Sequence, residues 1–157
     1  MKKNISGWGR NIAANANISY PKNLFELKKE LKKNCIARGL GRSYGDSSIQ
    51  PKKTIVTTNL NKIINFDDKT GILESESGIS IKQLNKVIIN KGWFLPVTPG
   101  SKNITLGGMI ATNVHGKNHH KVGSLSNYII NLKVLDNKNR LVTCSKKMNS
   151  QFFNYTI

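Results

Sequence analysis

The sequence predicts an α+β fold, and two kinds of local pattern indicate it. Capping boxes at Asn23 and Ser80 each precede apolar residues at helical spacing, which predicts two amphipathic helices. Turn sequences at 67–71 and 136–139 lie between short apolar runs, which predicts two β-hairpins. A chain of 157 residues fits one domain and is long enough to bury a core.

The N-terminal residues show no clear period. We therefore expect 1–18 to form an irregular arm, packed onto the domain by Trp8, and 19–157 to form the domain itself. Residues 35–37 and 54–60 are expected to be short strands, because both are apolar runs bounded by turn residues.

The second helix is expected to end at Gly92, since glycine suits the left-handed residue that closes a helix. Residues 93–97 are apolar and contain a proline, which predicts a short edge strand with Trp93 and Phe94 in the core. The aromatic tail at 151–157 is expected to pack against further structure. The buried stripe of the second helix is predicted to comprise Ile81, Leu84, Val87 and Ile88.

The formal net charge is +17, from 25 basic and 8 acidic residues. Such a surplus is typical of proteins that bind nucleic acid or an anionic membrane surface. However, the basic residues are mostly lysines spread along the chain, whereas nucleic-acid sites favour arginine. The accompanying excess of Asn and Ile indicates a coding bias, so we expect solvated lysines and no nucleic-acid partner.

Cys35 and Cys144 are far apart and form no C-x-x-C motif, so the sequence predicts neither a disulfide framework nor a thiolate zinc site. The start of the chain has no apolar run typical of a signal peptide, and no stretch approaches 18 apolar residues. We therefore expect a cytoplasmic location.

Residues 37–47, here called the glycine loop, contain three glycines, two arginines and two serines. Backbone N–H groups in such a loop can form an anion-binding nest, for which a diphosphate is the natural guest. The loop lacks the Gly-Lys-Ser/Thr of a P-loop, and its glycine spacing is one residue too long for a dinucleotide fingerprint. The residue types alone also fit a purely structural turn.

The stretch from Thr105 to His120 combines a glycine pair, Gly107–Gly108, with all three histidines of the chain. A glycine pair lets backbone approach a ligand closely, and histidine is a common acid, base or ligand near neutral pH. The sequence therefore predicts a binding or catalytic site here. A metal site is not favoured, since no acidic ligand stands near His115 and His119.

Taken together, 37–47 and 99–120 resemble the FAD-binding domain of the vanillyl-alcohol-oxidase type (PCMH-type) flavoenzymes. The runs GWGR at 7–10 and HGKNHH at 115–120 are the more specific part and resemble the polyprenyl-sugar branch of that family. The resemblance covers nearly the whole chain. It implies an α+β fold made of two small α/β subdomains.

The resemblance implies an FAD that is bound noncovalently, because no histidine stands at 42–44, where some members bond the flavin. The glycine loop would wrap the diphosphate, and the later residues would line the other side and the ring. The implied cofactor-binding residues are Ala37, Arg38, Gly39, Leu40, Gly41, Arg42, Ser43, Tyr44, Gly45, Asp46, Ser47, Gly100, Thr105, Leu106, Gly107, Gly108, Thr112, Asn113, Val114 and His115.

The implied chemistry is oxidation of a sugar CH–OH group, with a small or lipid-linked sugar as substrate and a short-chain reductase as partner. His115 would orient the substrate hydroxyl or stabilise flavin charge, and Lys117 would reach the substrate or its headgroup. His119 and His120 are expected to make structural hydrogen bonds. A lipid-linked substrate also implies peripheral membrane contact.

Members of the family continue past the matching residues into further strands and a substrate domain. The sequence therefore predicts an N-terminal fragment, truncated at the C-terminus, whose partner would be the missing C-terminal half. Alone, it is expected to bind FAD weakly or not at all and to turn nothing over. The alternatives are an aldonolactone or alditol oxidase of the same family, a basic nucleic-acid or membrane-binding protein, and an inactive remnant.

Overall fold

The computed structural model describes residues 1–31 and 33–157, which form two compact units. The first unit comprises 1–93 and 102–108, and the second comprises 94–101 and 109–157. Both contain helices and strands, so the predicted α+β class is confirmed.

A four-stranded sheet organises the first unit, in the order β1-β2-β4-β3. Its strands are β1 (Lys2–Ser6), β2 (Ala13–Ser19), β3 (Ile36–Arg38) and β4 (Thr54–Val56). β1 and β2 pair antiparallel, while β2 and β3 both run parallel to β4. The strand predicted over 54–60 is therefore real but shorter.

The irregular structure predicted for residues 1–18 is wrong, because this segment supplies β1 and most of β2. In β2, Ala16 and Ile18 are buried against Val56, while Asn15 and Asn17 are exposed. This is the two-residue alternation of a half-buried strand. It is hard to recognise in the sequence because one of the inward positions is an alanine.

The two predicted helices of the first unit are confirmed as α1 (Leu24–Glu30) and α2 (Ile81–Ile88). Asn23 Oδ1 accepts a hydrogen bond from Glu26 N at 2.9 Å, and Ser80 and Gln83 form a reciprocal capping box. Val87 is exposed, so the buried stripe of α2 is narrower than predicted and consists of Ile81, Leu84 and Ile88.

The segment after α2 is not the predicted strand. A 3₁₀ turn at Ile89–Lys91 ends at Gly92, whose φ of 80° is left-handed as expected. Trp93 is half-buried on Gly71 and donates from Nε1 to Asp68 O at 2.8 Å. The predicted core position of Phe94 is wrong, since this residue is 57% exposed.

The predicted hairpins are confirmed, one in each unit. In the first unit β5 (Ile63–Asp67) pairs with β6 (Ile72–Ser75), and in the second β7 (Leu132–Leu135) pairs with β8 (Leu141–Cys144). In both, a tight polar turn joins the two strands.

Short helices complete the fold. They are α3 (Leu106–Ala111), α4 (His119–Val122), a 3₁₀ turn at Leu125–Tyr128, and α5 (Ser150–Thr156). The apolar tail forms α5, which contacts β8 and buries Phe153. Among the described residues, no helix is long and apolar enough to cross a membrane.

Candidate functional site

The glycine loop leaves the sheet at the end of β3. Thr57 N donates to Arg38 O at 2.9 Å, which continues the β3–β4 pairing for one more step. The chain then turns sharply at Gly41 and Gly45, whose φ values are 66° and 59°. These left-handed conformations favour glycine, which explains why glycine occupies positions 41 and 45 of the loop.

Arg38 points back into the protein and braces the loop. Its guanidinium donates to Ser6 O at 2.7 Å and to Ser48 Oγ at 3.0 Å. Partial burial of this group lowers the pKa of Arg38. Gly41 packs directly on the guanidinium, where any side chain would overlap it. Arg38 therefore stabilises the shape of the loop through its own side chain.

Arg42, by contrast, is exposed. Its guanidinium carbon lies 4.3 Å from the centre of the Trp8 ring, and its Nε donates to Asn103 O at 3.2 Å. Ser43 is engaged within the protein, since its hydroxyl lies 3.1 Å from Ser48 Oγ. The two arginines of the loop thus have different environments, although no sequence pattern distinguishes them.

Thr105, two residues before the glycine pair, contacts the glycine loop within the first unit. Thr105 is buried, and its side chain contacts Gly39 so closely that a Cβ on this glycine would overlap Oγ1. Thr105 Oγ1 also accepts a hydrogen bond from Gly108 N at 3.2 Å, at the start of α3. The structure thus brings together two predicted cofactor-binding segments through Gly39 and Thr105, which are 66 positions apart in the sequence.

Ser77 is a further member of this cluster, which the sequence did not indicate. Gly107 N donates to Ser77 O at 2.7 Å, and a Cβ on Gly107 would lie 2.9 Å from Ser77 Cβ. The next residue, Gly78, is buried against the carbonyls of Thr57 and Leu60. Ser80 lies two residues further on and bridges to Thr105. Only the capping box at Ser80 marked this stretch in the sequence.

The glycine loop keeps backbone donors available for a ligand. Within 1–31 and 33–157, no protein acceptor is found for the backbone N–H groups of residues 40–45. The side of Gly45 where a Cβ would stand is open, with no atom within 4 Å. Since N–H groups left without protein partners seek other acceptors, this part of the chain fits an anionic group such as a diphosphate.

The second unit contains residues 112–120, here called the histidine segment. Asn113 has a φ of 38°, and its Oδ1 accepts a hydrogen bond from Ser126 N at 3.0 Å. Val114 pairs with Met109 and Leu125 through backbone hydrogen bonds. Thr112 is exposed at the end of α3. These hydrogen bonds hold the backbone of the histidine segment at Asn113 and Val114, and no sequence pattern predicted them.

An open cleft of about 690 Å³ lies beside the histidine segment. His115, Lys117 and Asn118 provide its polar side, whereas Phe94 and the loop through Gly100 provide the rest. His115 and Lys117 are exposed, so both side chains are accessible to a ligand. The cleft therefore combines a basic group, an imidazole and an apolar wall.

His119 and His120 begin α4. The His119 ring lies 4.8 Å from that of His115, and its backbone N donates to Gly116 O at 3.1 Å. Gly116 packs on the backbone of Thr98, which fixes His115 beside the cleft. Among the described residues, no three His, Cys, Asp or Glu side chains are grouped as a metal site.

Comparisons with known proteins show which family the chain resembles. A family model described as an FAD binding domain matches residues 21–145. Decaprenylphosphoryl-beta-D-ribose oxidase of Mycolicibacterium smegmatis is 35% identical over 141 residues, which cover 85% of this chain and 31% of that protein. The probable mitochondrial D-2-hydroxyglutarate dehydrogenase of Oryza sativa subsp. indica is 29% identical, over 84% of this chain and 25% of that protein.

A solved structure of a carbohydrate oxidase from Microdochium nivale, in complex with a substrate analogue, has the same fold. Its TM-score is 0.77 at 20% identity, over 88% of this chain and 31% of that one. The chain thus spans about a third of the length of these two oxidases, and about a quarter of the dehydrogenase. With the family match over most of the chain, these results confirm the resemblance: the protein belongs to the FAD-binding domain family of PCMH-type oxidoreductases.

Proposed function

We propose that this chain holds FAD noncovalently, as part of an oxidoreductase that oxidises a CH–OH group of a polyprenyl-phosphate-linked ribose. The contact between Gly39 and Thr105 carries the proposal, because it joins the glycine loop to the segment 105–108. These two segments are here called the cradle. The family match and the similarity to a decaprenylphosphoryl-ribose oxidase support it.

The diphosphate of the cofactor is assigned to the backbone N–H groups of residues 40–45. Their lack of protein acceptors within the described ranges supports this assignment. Arg42 would add positive charge at the same loop, whereas the Arg38 side chain would act only as a brace. Thr105–Gly108 would face the cofactor from the second side of the cradle.

Noncovalent attachment is proposed because the glycine loop contains no histidine or cysteine. His115, which belongs to the histidine segment, is assigned to the chemistry instead. When bound, FAD supplies the acceptor for a hydride removed from the substrate carbon. His115 would accept a hydrogen bond from the substrate hydroxyl at an imidazole nitrogen, and Lys117 would bind the substrate phosphate through Nζ.

A second candidate is oxidation of a 2-hydroxy acid, which the similarity to a D-2-hydroxyglutarate dehydrogenase favours. In that case Lys117 would bind a carboxylate in place of a phosphate. An aldonolactone or alditol oxidase is the corresponding sugar alternative. For the polyprenyl substrate, we further propose a cytoplasmic protein with peripheral membrane contact and a reductase partner.

The cofactor assignment is tested in the whole enzyme that contains these residues, by titration with FAD and with riboflavin followed by flavin fluorescence. We expect FAD to bind at least about tenfold more tightly, as several charge-assisted hydrogen bonds to a diphosphate would give. Acid precipitation should then release the flavin into the supernatant. Equal affinities for the two flavins would contradict the diphosphate cradle, and a yellow precipitate would contradict noncovalent attachment.

The substrate assignment is tested in the whole enzyme that contains these residues. Under anaerobic conditions, farnesylphosphoryl-ribose is expected to bleach the visible absorbance of the flavin, whereas D-2-hydroxyglutarate is not. Bleaching by the hydroxy acid alone would establish the second candidate. Lys117→Met should weaken the response to the phosphorylated sugar and leave the response to an unphosphorylated riboside unchanged.

A further inference from the structure

Trp8 is part of the GWGR run, and the proposed function gives it no role. Its backbone N donates to Ser43 O at 2.9 Å, which ties the β1–β2 connection to the glycine loop. The sequence predicted that Trp8 anchors its segment by burial, but the indole is 51% exposed. A large aromatic ring held at the surface beside an anion-binding loop calls for an explanation.

The ring of Trp8 supports Arg42. The guanidinium carbon lies 4.3 Å from the ring centre, within the range of a cation–π contact. On the other side, Arg42 Nε donates to Asn103 O at 3.2 Å. These two contacts fix the plane of the guanidinium, and among the described residues no carboxylate forms an ion pair with it.

The two other arginines near this site show what is particular to Arg42. The Arg38 guanidinium is occupied by Ser6 O and Ser48 Oγ. Arg10, in the same GWGR run, is exposed and has a left-handed backbone with φ of 57°. Of these three arginines, Arg42 is the one that combines exposure with a guanidinium in contact with both the Trp8 ring and Asn103 O. It belongs to the run 40–45, whose backbone N–H groups have no protein acceptor among the described residues.

We propose that Arg42 binds a phosphate group and that Trp8 is the residue that positions it. A planar guanidinium whose orientation is already set loses little side-chain entropy when it forms paired hydrogen bonds to phosphate oxygens. The phosphate has two sources, the cofactor diphosphate and the phosphate of a lipid-linked sugar. The identity of these two sources rests on the proposed function. Phosphate binding by Arg42 and its positioning by Trp8 rest on the contacts of Arg42.

The test is a double-mutant cycle on the whole enzyme that contains these residues, with binding of two probes measured by calorimetry. ADP represents the cofactor diphosphate, and farnesyl phosphate represents the lipid-linked phosphate. The variants are Trp8→Ala, Arg42→Ala and the double variant. Arg10→Asn is the charge control, since it removes one positive charge nearby and asparagine tolerates the left-handed backbone.

For at least one probe, Arg42→Ala is expected to weaken binding about tenfold, as the loss of a charge-assisted pair would. Trp8→Ala should weaken the same probe about threefold, the size of an exposed cation–π contact. In the Arg42→Ala background, Trp8→Ala should have no further effect, because the residue acts through Arg42. Trp8→Phe, which keeps a ring face, should restore most of the affinity.

The probe that responds identifies the source. A loss with ADP alone assigns Arg42 to the cofactor, a loss with farnesyl phosphate alone assigns it to the substrate, and a loss with both assigns it to both. The proposal is overturned if the effects of Trp8→Ala and Arg42→Ala are additive, or if Arg10→Asn costs as much as Arg42→Ala. It is also overturned if the wild type binds neither probe.

A titration of the same samples with FAD separates this proposal from the proposed function. If FAD still binds but the cycle shows no coupling between Trp8→Ala and Arg42→Ala, the cradle remains supported and only the role of Trp8 is removed. Failure of the whole enzyme that contains these residues to bind FAD would remove the proposed function itself. Far-UV circular dichroism of each variant, with Trp8→Phe as the mild substitution, ensures that a loss of binding reflects the site.

Discussion

The cradle of the first unit and the cleft of the second present their groups to a ligand in opposite ways. In the first unit, Gly39 and Gly107 let backbone and small side chains pack so closely that no Cβ fits. In the second unit, His115 and Lys117 are exposed side chains beside an open cleft. A ligand held by backbone donors depends on tight packing, whereas one held by exposed side chains does not.

The largest effect is expected for Gly39→Ala in the cradle. The added methyl group would overlap Thr105 Oγ1 and force the glycine loop away from the glycine pair. Overpacking of this kind costs about 1–3 kcal/mol in the free energy of unfolding. We expect this loss in denaturant titrations, together with at least about tenfold weaker FAD binding, close to 1.4 kcal/mol of binding energy.

Gly100→Ala is the matched control for that prediction. A Cβ at Gly100 meets no atom within 4 Å, and the residue has no left-handed φ. The same methyl group should therefore leave stability within about 0.5 kcal/mol, as ordinary surface changes do. Equal destabilisation by the two substitutions would show that the close contact at Gly39 does not hold the cradle together.

The elements that the sequence predicted correctly are those with local signals. Both helices of the first unit follow from their N-cap residues, Asn23 and Ser80, because each side chain accepts a hydrogen bond from a backbone N–H three residues further on. The reciprocal bond of a capping box forms at Ser80 but not at Asn23, where Glu26 accepts from Lys22 N instead. Both hairpins follow from polar turns between apolar runs, and the tight turns are in place. The glycine loop was also recognised as a loop, and two of its three glycines, Gly41 and Gly45, occupy left-handed positions.

What the sequence missed depends on contacts between distant residues. β1 and β2 were overlooked because their pairing with each other, and that of β2 with β4, stabilises a segment of weak strand propensity. The apolar run at 93–97 forms no strand, and Phe94 remains exposed. Likewise, nothing in the loop sequence distinguishes the bracing Arg38 from the exposed Arg42, since the oxygens that bind Arg38 come partly from Ser6.

A smaller effect is expected for Thr105→Val, which keeps the shape of the side chain and removes its hydroxyl. Gly108 N would lose the acceptor that holds it at the start of α3. Loss of such a cap costs typically about 1 kcal/mol. Thr105→Ser keeps the hydroxyl and should retain the hydrogen bond, so a denaturant midpoint lowered by the valine and much less by the serine is the expected result. Equal midpoints for Thr105→Val and the wild type would contradict a stabilising role of this bond.

The hairpins of the two units allow a comparison by pH. In β5–β6, hydrogen bonds from Thr70 and Lys69 lower the pKa of Asp67. In β7–β8, hydrogen bonds from the backbone and side chain of Arg140 lower the pKa of Asp136. A carboxylate with a lowered pKa in the folded state stabilises the fold above its unfolded pKa of about 3.9, and this stabilisation is lost as the pH falls through the lower folded pKa.

We therefore expect a modest fall in the melting temperature of the wild type below about pH 4, where these carboxylates are protonated. Asp136→Asn should melt lower than the wild type at neutral pH and should lose less on acidification, because it has no carboxylate to protonate. Asp67→Asn should behave in the same way. Unchanged acid sensitivity in both variants would show that other carboxylates govern the loss.

The smallest effect on stability is expected for His115→Ala in the cleft. The side chain is exposed and packs mainly against the ring of His119, so the free energy of unfolding should change by less than about 0.5 kcal/mol. FAD affinity should fall by less than about threefold, or 0.7 kcal/mol, since the diphosphate is assigned to the other unit. His120→Ala is the control, because it removes an exposed histidine of α4 that does not line the cleft. Suppose that His115→Ala lowered FAD affinity as much as Gly39→Ala does. An exposed side chain would then contribute as much to cofactor binding as the packed backbone, and the contrast between the two units would not describe how this domain binds flavin.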